Sequence, residues 1–164
     1  MKNNVKKLSL AAVFTAIIFV FTAYLHFPSH TGYTHIGDGF IYLAACLLPT
    51  PYAVFAGGVG ALLADCLTGF AIWAPASVII KSVAVLFFKN GAKIVCFRNI
   101  LGYVLASVLC TVGYYIYEAL IFSNFIAAAA GIAGYVTQSV LSGVLFFVLG
   151  ASLDKINIKK RLGE

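Results

Sequence analysis

Charge is what this sequence has least of. Asp, Glu, Lys and Arg together make up 10% of the chain, against 62% hydrophobic residues. That balance and a mean hydropathy of +1.01 exclude a water-soluble globular domain and leave no room for a separate soluble one. They predict a single integral membrane domain over residues 1–164. Motifs of hydrolytic chemistry are also missing. The chain has no G-x-x-x-x-G-K-[ST] phosphate loop, no H-E-x-x-H and no G-x-S-x-G, so neither ATP hydrolysis nor an intramembrane enzyme is expected. Cys46, Cys66, Cys96 and Cys110 form no C-x-x-C pair and read as small apolar residues, implying no disulfide framework, metal cluster or cofactor.

Long apolar runs with basic flanks are what the chain does contain. Lys2, Lys6 and Lys7 precede the first run, and Lys89, Lys93 and Arg98 form a second cluster. The first run is of spanning length without a small-residue cleavage site, so it reads as a helix rather than a signal peptide. The net charge of +6 is therefore loop bias and not a nucleic-acid footprint. It places both termini and the 89–98 segment in the cytoplasm, which requires an even number of crossings.

Hydropathy and breakers predict six helices at about 8–27, 36–48, 52–68, 76–88, 100–122 and 125–149, an all-α six-helix membrane bundle. The second is short for a crossing and could be re-entrant or interior. Pro49-Thr50-Pro51 marks a tight inner turn, since each proline lacks a donor and bends the preceding residue out of helix. Ser123-Asn124 reads as an outer turn.

Four ionisable residues fall inside this apolar chain: Asp38, Asp65, Lys81 and Glu118. A charge at mid-membrane costs about 2.5 to 3.5 kcal/mol on translocon scales. At 1.5 Å rise, Asp65 lies roughly 20 Å from the inner end of the third helix and Lys81 roughly 9 Å below the outer turn. All four thus converge in the outer half, which suggests one polar chamber open to the outside. A plainer reading pairs Asp65 with Lys81 and leaves Asp38 at a helix N-terminus, with no ligand; both readings stand for Asp38 and Asp65. Thr111, Tyr114 and Glu118 share a helical face with Tyr117 beside them, and Tyr135, Gln138 and Ser142 make a similar stripe. Tyrosines and buried amides suit a small planar polar molecule, although Trp73 and Tyr33 fit an interfacial aromatic belt equally well.

Small residues mark further faces. Ser9, Ala12, Ala16 and Ala23 share one face of the first helix, where a neighbouring helix could approach closely. Gly57, Gly60, Ala61 and Ala64, and Ala127, Gly131 and Gly134, read as internal contacts. His26, His30 and His35 all lie in one outer connection, which raises a divalent metal permease as an alternative. Asp38, Asp65 and Glu118 raise a proton-coupled carrier, against which the lack of an internal repeat counts.

Several runs carry a more specific signal: His35-Ile36-Gly37-Asp38, Leu43-Ala44-Ala45 with Leu47-Leu48-Pro49, the glycine-rich 57–65, and Trp73-Ala74-Pro75-Ala76-Ser77 followed by Ile79-Ile80-Lys81. Together they resemble the S component of energy-coupling-factor (ECF) vitamin transporters, especially the group around riboflavin and vitamin precursors. Ala12-x-x-x-Ala16 looks like that family's surface for the transmembrane coupling subunit. Residues 100–149 match only as hydrophobic helices. The resemblance implies a prokaryotic plasma-membrane protein that captures a vitamin outside and is energised by a coupling subunit and two cytosolic ATPases. It also implies a compact body with short crossings that topples within the bilayer. His35, Asp38 and Trp73, which stand in these motifs, join Asp65, Lys81, Tyr114, Tyr117, Glu118 and Gln138 as the candidate substrate-binding set, and Ala12 and Ala16 form the docking face. Metal-carrying relatives use an N-terminal histidine that is absent here. The net negative inventory favours a neutral or amine-bearing ring, pyridoxine-like or hydroxymethylpyrimidine-like, over an anionic folate; riboflavin stays open through the family label.

Overall fold

The computed structural model describes residues 2–28 and 32–162. Helix α1 (Lys2–Ala23) leads into a two-stranded antiparallel hairpin, β1 (His26–Pro28) and β2 (Tyr33–His35), with His26 opposite His35. Helices α2 (Asp38–Leu47), α3 (Thr50–Leu67), α4 (Ala74–Val85) and α5 (Phe97–Ile121) follow, with a 3-10 turn at Ala71–Trp73 before α4. The short α6 (Phe125–Ala129), the long α7 (Ile132–Lys155) and α8 (Ile158–Leu162) complete the chain.

Breakers set most of these ends. Pro49 caps α3 and Pro51 sits in its first turn, where the missing N–H has no intrahelical partner to lose. Gly69 takes a φ of +87°, a left-handed conformation open to glycine at no steric cost, and turns the chain toward α4. Asn124 accepts a hydrogen bond from the Ala127 N–H at 2.9 Å, an N-cap that starts α6.

Several expected boundaries shift: α1 begins at Lys2 instead of near 8, α4 ends at Val85 instead of 88, and α5 begins at Phe97 instead of 100. The first helix stops at Ala23 instead of running to 27, because residues from His26 onward pair across the hairpin. The last apolar run is not one helix over 125–149; it breaks after Ala129, restarts at Ile132 and continues to Lys155.

Among the described residues, four helical stretches are long and apolar enough to cross a membrane: 4–23, 50–67, 97–121 and the 125–155 run. Their large apolar side chains point outward. Leu101, Val104, Val108 and Val112 on α5, and Val136, Val140, Val144 and Val148 on α7, are exposed at helical spacing, the surface a hydrocarbon solvent selects. The inward face of α7 carries Gln138, Ser139, Ser142, Gly143, Phe146 and Gly150 instead.

Helix α2 is interior. All its residues but Phe40 are buried, and it touches α1, α3, α4 and α7. Its ten residues reach about 15 Å at the helical rise, half a hydrocarbon core. Close approach needs glycine both here, at Gly39 of α2, and where α3 meets α1, at Gly60. A Cβ at Gly39 would sit 2.7 Å from the Ser142 carbonyl of α7, and one at Gly60 would sit 2.7 Å from Ile18 Cγ2 of α1.

At one end of the bundle the 86–96 segment is tied down by side chains. Asn99 accepts from the Lys89 N–H at 2.8 Å and donates to the carbonyls of Ile94 (2.9 Å) and Lys89 (3.1 Å). Asp154 accepts from the N–H groups of Ile94 and Val95 at 2.8 and 2.9 Å. Lys159 donates to Asn90 Oδ1 at 2.9 Å and to the Gly91 carbonyl.

Candidate functional site

At the opposite end from that latch, helix starts and ends deliver polar groups into one region. Asp38 is the first residue of α2, Asp65 stands near the end of α3, Lys81 on α4, Glu118 near the end of α5, and Tyr135 and Gln138 in the first turns of α7. Lys81 and Asp38 form a buried ion pair with Nζ to Oδ2 of 2.7 Å. Gln138 Nε2 donates to the same oxygen at 2.9 Å. A charge pair this deep persists only when hydrogen bonds supplement the Coulomb attraction. The Asp65–Lys81 pairing of the plainer reading is therefore not the one formed. Asp38 takes the lysine, while Asp65 accepts from the Tyr33 hydroxyl at 2.5 Å.

Glu118 is 1% exposed and accepts from the Tyr135 hydroxyl at 2.5 Å. Tyr135 stacks on Tyr114 at 5.5 Å between centroids and 22° between planes. The Lys81 ammonium lies 5.0 Å from the Tyr114 centroid, within cation-π range, and the Tyr114 hydroxyl shares a 2.8 Å hydrogen bond with Ser77. Lys81 and Glu118 thus meet the same two-ring stack.

These groups surround a cavity of about 430 Å³, its open mouth included, lined by Gly32, Tyr33, His35, Asp65, Trp73, Ser77, Tyr114, Tyr135 and Gln138. Its size falls within the range of small-molecule sites. Tyr33, Trp73, Tyr114 and Tyr135 bring four aromatic rings to the wall. Trp73 meets Tyr114 edge-on at 6.2 Å, and Tyr33 contacts Phe70 at 4.6 Å. The hairpin supplies Tyr33 and His35, and the Gly37 N–H donates to His35 Nδ1 at 3.1 Å, which leaves the ring proton on Nε2. Burial lowers the His35 pKa to about 4, Asp38 opposing the shift and Lys81 and His26 adding to it, so the ring is neutral. Burial first, and then the neighbouring Asp65 carboxylate, raise the Tyr33 hydroxyl well above its ordinary value and keep it a donor.

Of the candidate set, His35, Asp65, Trp73, Tyr114 and Gln138 line the cavity. Asp38 and Lys81 lie behind Gln138 and Tyr114, and Glu118 lies behind Tyr135. Tyr117 stands beside the wall, its ring 5.9 Å from Trp73 and its hydroxyl donating to the Ile72 carbonyl at 2.6 Å. Besides Gly32, three lining residues lie outside that set. Ser77 precedes Lys81 by one helical turn, Tyr135 precedes Gln138 by three residues, and Tyr33 alternates with His35; helical and strand spacing from residues already singled out point to each.

Ala12 and Ala16 are exposed on α1, as is Ser9, whereas Ala23 is buried and off that surface. Gly57, Gly60, Ala61 and Ala64 are internal. Ala127, expected to be internal, is exposed because α6 breaks away from α7. No group of three His, Cys, Asp or Glu side chains placed to hold a metal occurs among the described residues. Of the outer histidines, His26 and His35 face each other across the hairpin, and His30 lies outside the described residues.

A family model described as "ECF-type riboflavin transporter, S component" matches residues 2–155. A protein from Pyrococcus woesei, described as an uncharacterized protein in gap 3'region, is 34% identical over 139 residues, which cover 83% of this chain and 88% of the relative.

Proposed function

The chain belongs to the family of ECF-type riboflavin transporter S components, and from that premise we propose that it captures a small water-soluble vitamin or vitamin precursor in the cavity beneath the hairpin. The substrate is then delivered to an energising module of one transmembrane coupling subunit and two cytosolic ATPases. In this reading residues 1–164 are one domain crossing the plasma membrane of a prokaryote six times. Helices α2 and α4 serve as the short crossings, and both termini are cytoplasmic. The observation that carries the proposal is the cavity itself. Aromatic faces from the 3-10 turn, α5 and α7 meet the polar groups of His35, Asp65, Ser77 and Gln138 around one space, while an apolar surface encloses the whole.

Asp65, Tyr114, Gln138, Trp73 and His35 contact the substrate in this reading; Asp38, Lys81, Glu118 and Tyr117 fix the wall behind them. Mass spectrometry of compounds that co-purify with the detergent-solubilised chain identifies the substrate. Gln138→Ala and Glu118→Ala then lower its affinity in calorimetry, and unchanged affinity in both removes them from the site. The exposed Ala12 and Ala16 are the docking face for the coupling subunit. Large side chains there abolish uptake and spare binding; intact uptake refutes that assignment.

A further inference from the structure

Resting on the ring-capture reading above, the geometry points to a narrower substrate class: a planar heterocycle bearing an amino group, whose N–H donors are received by Asp65. The argument is a count of what the wall still offers. Asp65 is 4% exposed and lines the cavity. Its Oδ1 is taken by Tyr33 at 2.5 Å, while its Oδ2 is buried with no partner in hydrogen-bond geometry among the described residues, the nearby Ser77 hydroxyl being shared with Tyr114 at 2.8 Å. An acceptor left dry in this way costs free energy until a donor arrives.

The hydroxyl beside it cannot serve, because the Tyr33 proton already goes to Oδ1. The cation cannot serve either, since Lys81 is spent on Asp38 at 2.7 Å. On the far wall the Tyr135 proton goes to Glu118, so that hydroxyl is not a donor to a ligand either. A ligand carrying a carboxylate or phosphate would meet Asp65 without a compensating cation. One carrying an amino group supplies the missing donor, and its ring lies within reach of Trp73 and the Tyr114–Tyr135 stack.

Ligand-observed NMR titration of the solubilised full chain tests this with 4-aminopyrimidine and 4-methylpyrimidine, rings of equal size that differ by amino against methyl, and with riboflavin. The amino ring is expected to bind roughly tenfold or more tighter than the methyl ring, the scale of one charge-assisted hydrogen bond. Asp65→Asn is expected to bring that ratio close to one. Equal binding of the two small rings overturns the inference, as does a ratio that survives Asp65→Asn. Should riboflavin bind in either of those cases, capture of a ring stands and only the amine assignment falls. No binding by any of the three overturns both. If Asp65→Asn does not fold, the wild-type ratio decides alone, with pyrimidine-4-carboxylate expected to bind more weakly than either small ring.

Discussion

Both ends of this bundle bury polar groups, the cavity end many more than the latch, and they use them in opposite ways. At the latch, Asn99, Asp154 and Lys159 bond mainly to backbone groups of the 87–96 segment, and Asn99 has both its oxygen and its nitrogen engaged. No space remains. At the cavity end the bonds run between side chains of different elements, and Asp38 Oδ1 and Asp65 Oδ2 stay buried without partners in hydrogen-bond geometry among the described residues. A side chain that bonds backbone closes a loop at a fixed position. Side chains that bond one another and keep lone pairs in reserve leave something for a ligand to complete.

The difference breaks first at Lys81. Removing one member of a buried ion pair strands the other, and such losses run to about 3–5 kcal/mol. Lys81→Met should therefore give the largest fall in thermal stability in detergent, together with loss of ligand binding. Adding Asp38→Asn should return much of the stability, because no charge is left stranded, but not the binding. A double variant no more stable than the single one would show that the pair is not what holds α2 against α4.

Acid separates the ends next. The His35 pKa falls from an ordinary 6.5 to about 4 on folding, so between those values the unfolded chain binds more protons. Stability from this group is complete above pH 6.5 and is lost as pH falls toward 4, by up to roughly 3 kcal/mol at the limit. Protonation also removes the acceptor used by the Gly37 N–H. Melting curves across that interval should slope for the wild type and flatten for His35→Gln. Equal slopes would exclude the buried imidazole as the sensor.

Asn99→Ala tests the latch from its own side. It is fully buried, and cutting its bonds to the Lys89 and Ile94 backbone should cost about 2 kcal/mol. Ligand affinity measured on the folded fraction should not move, since no latch residue lines the cavity. A drop in affinity would mean that the two ends are coupled and the contrast between them is false.

The cavity end was the more legible of the two in sequence, and for a physical reason. Asp38, Asp65, Lys81 and Glu118 stand out because hydrocarbon penalises each, so their presence alone announces a site. Their partners do not stand out. That Lys81 would choose Asp38 over Asp65 depends on α2 being packed on all sides by α1, α3, α4 and α7, and a run of ten residues does not reveal which neighbours surround it. Tyr33 was hidden by the hairpin, whose strands are three residues each and too short for alternation to register. The latch was harder still, because Asn99 and Asp154 sit beside basic segments that read as solvated cytoplasmic loops. Their work is done on backbone N–H and carbonyl groups, which no side-chain pattern encodes.

The smallest effects offer the sharpest form of the contrast, through two tyrosines that each lose one hydroxyl. Tyr135 donates to Glu118 Oε2 at 2.5 Å and lines the cavity; Tyr103 donates to the Ser139 carbonyl at 3.1 Å and packs into the core around Tyr42 and Phe147. Tyr135→Phe and Tyr103→Phe keep both rings, so each should cost about 1 kcal/mol of stability, the scale of one hydrogen bond. Binding should distinguish them. Without its hydroxyl, Tyr135 no longer fixes Glu118 or the tilt of the ring stacked on Tyr114, and affinity should fall severalfold. Tyr103→Phe should leave affinity at the wild-type value, because its bond lies outside the wall. Equal affinity losses would mean that any loosening of α7 is felt in the cavity, and the stacked pair would then hold no special place in it.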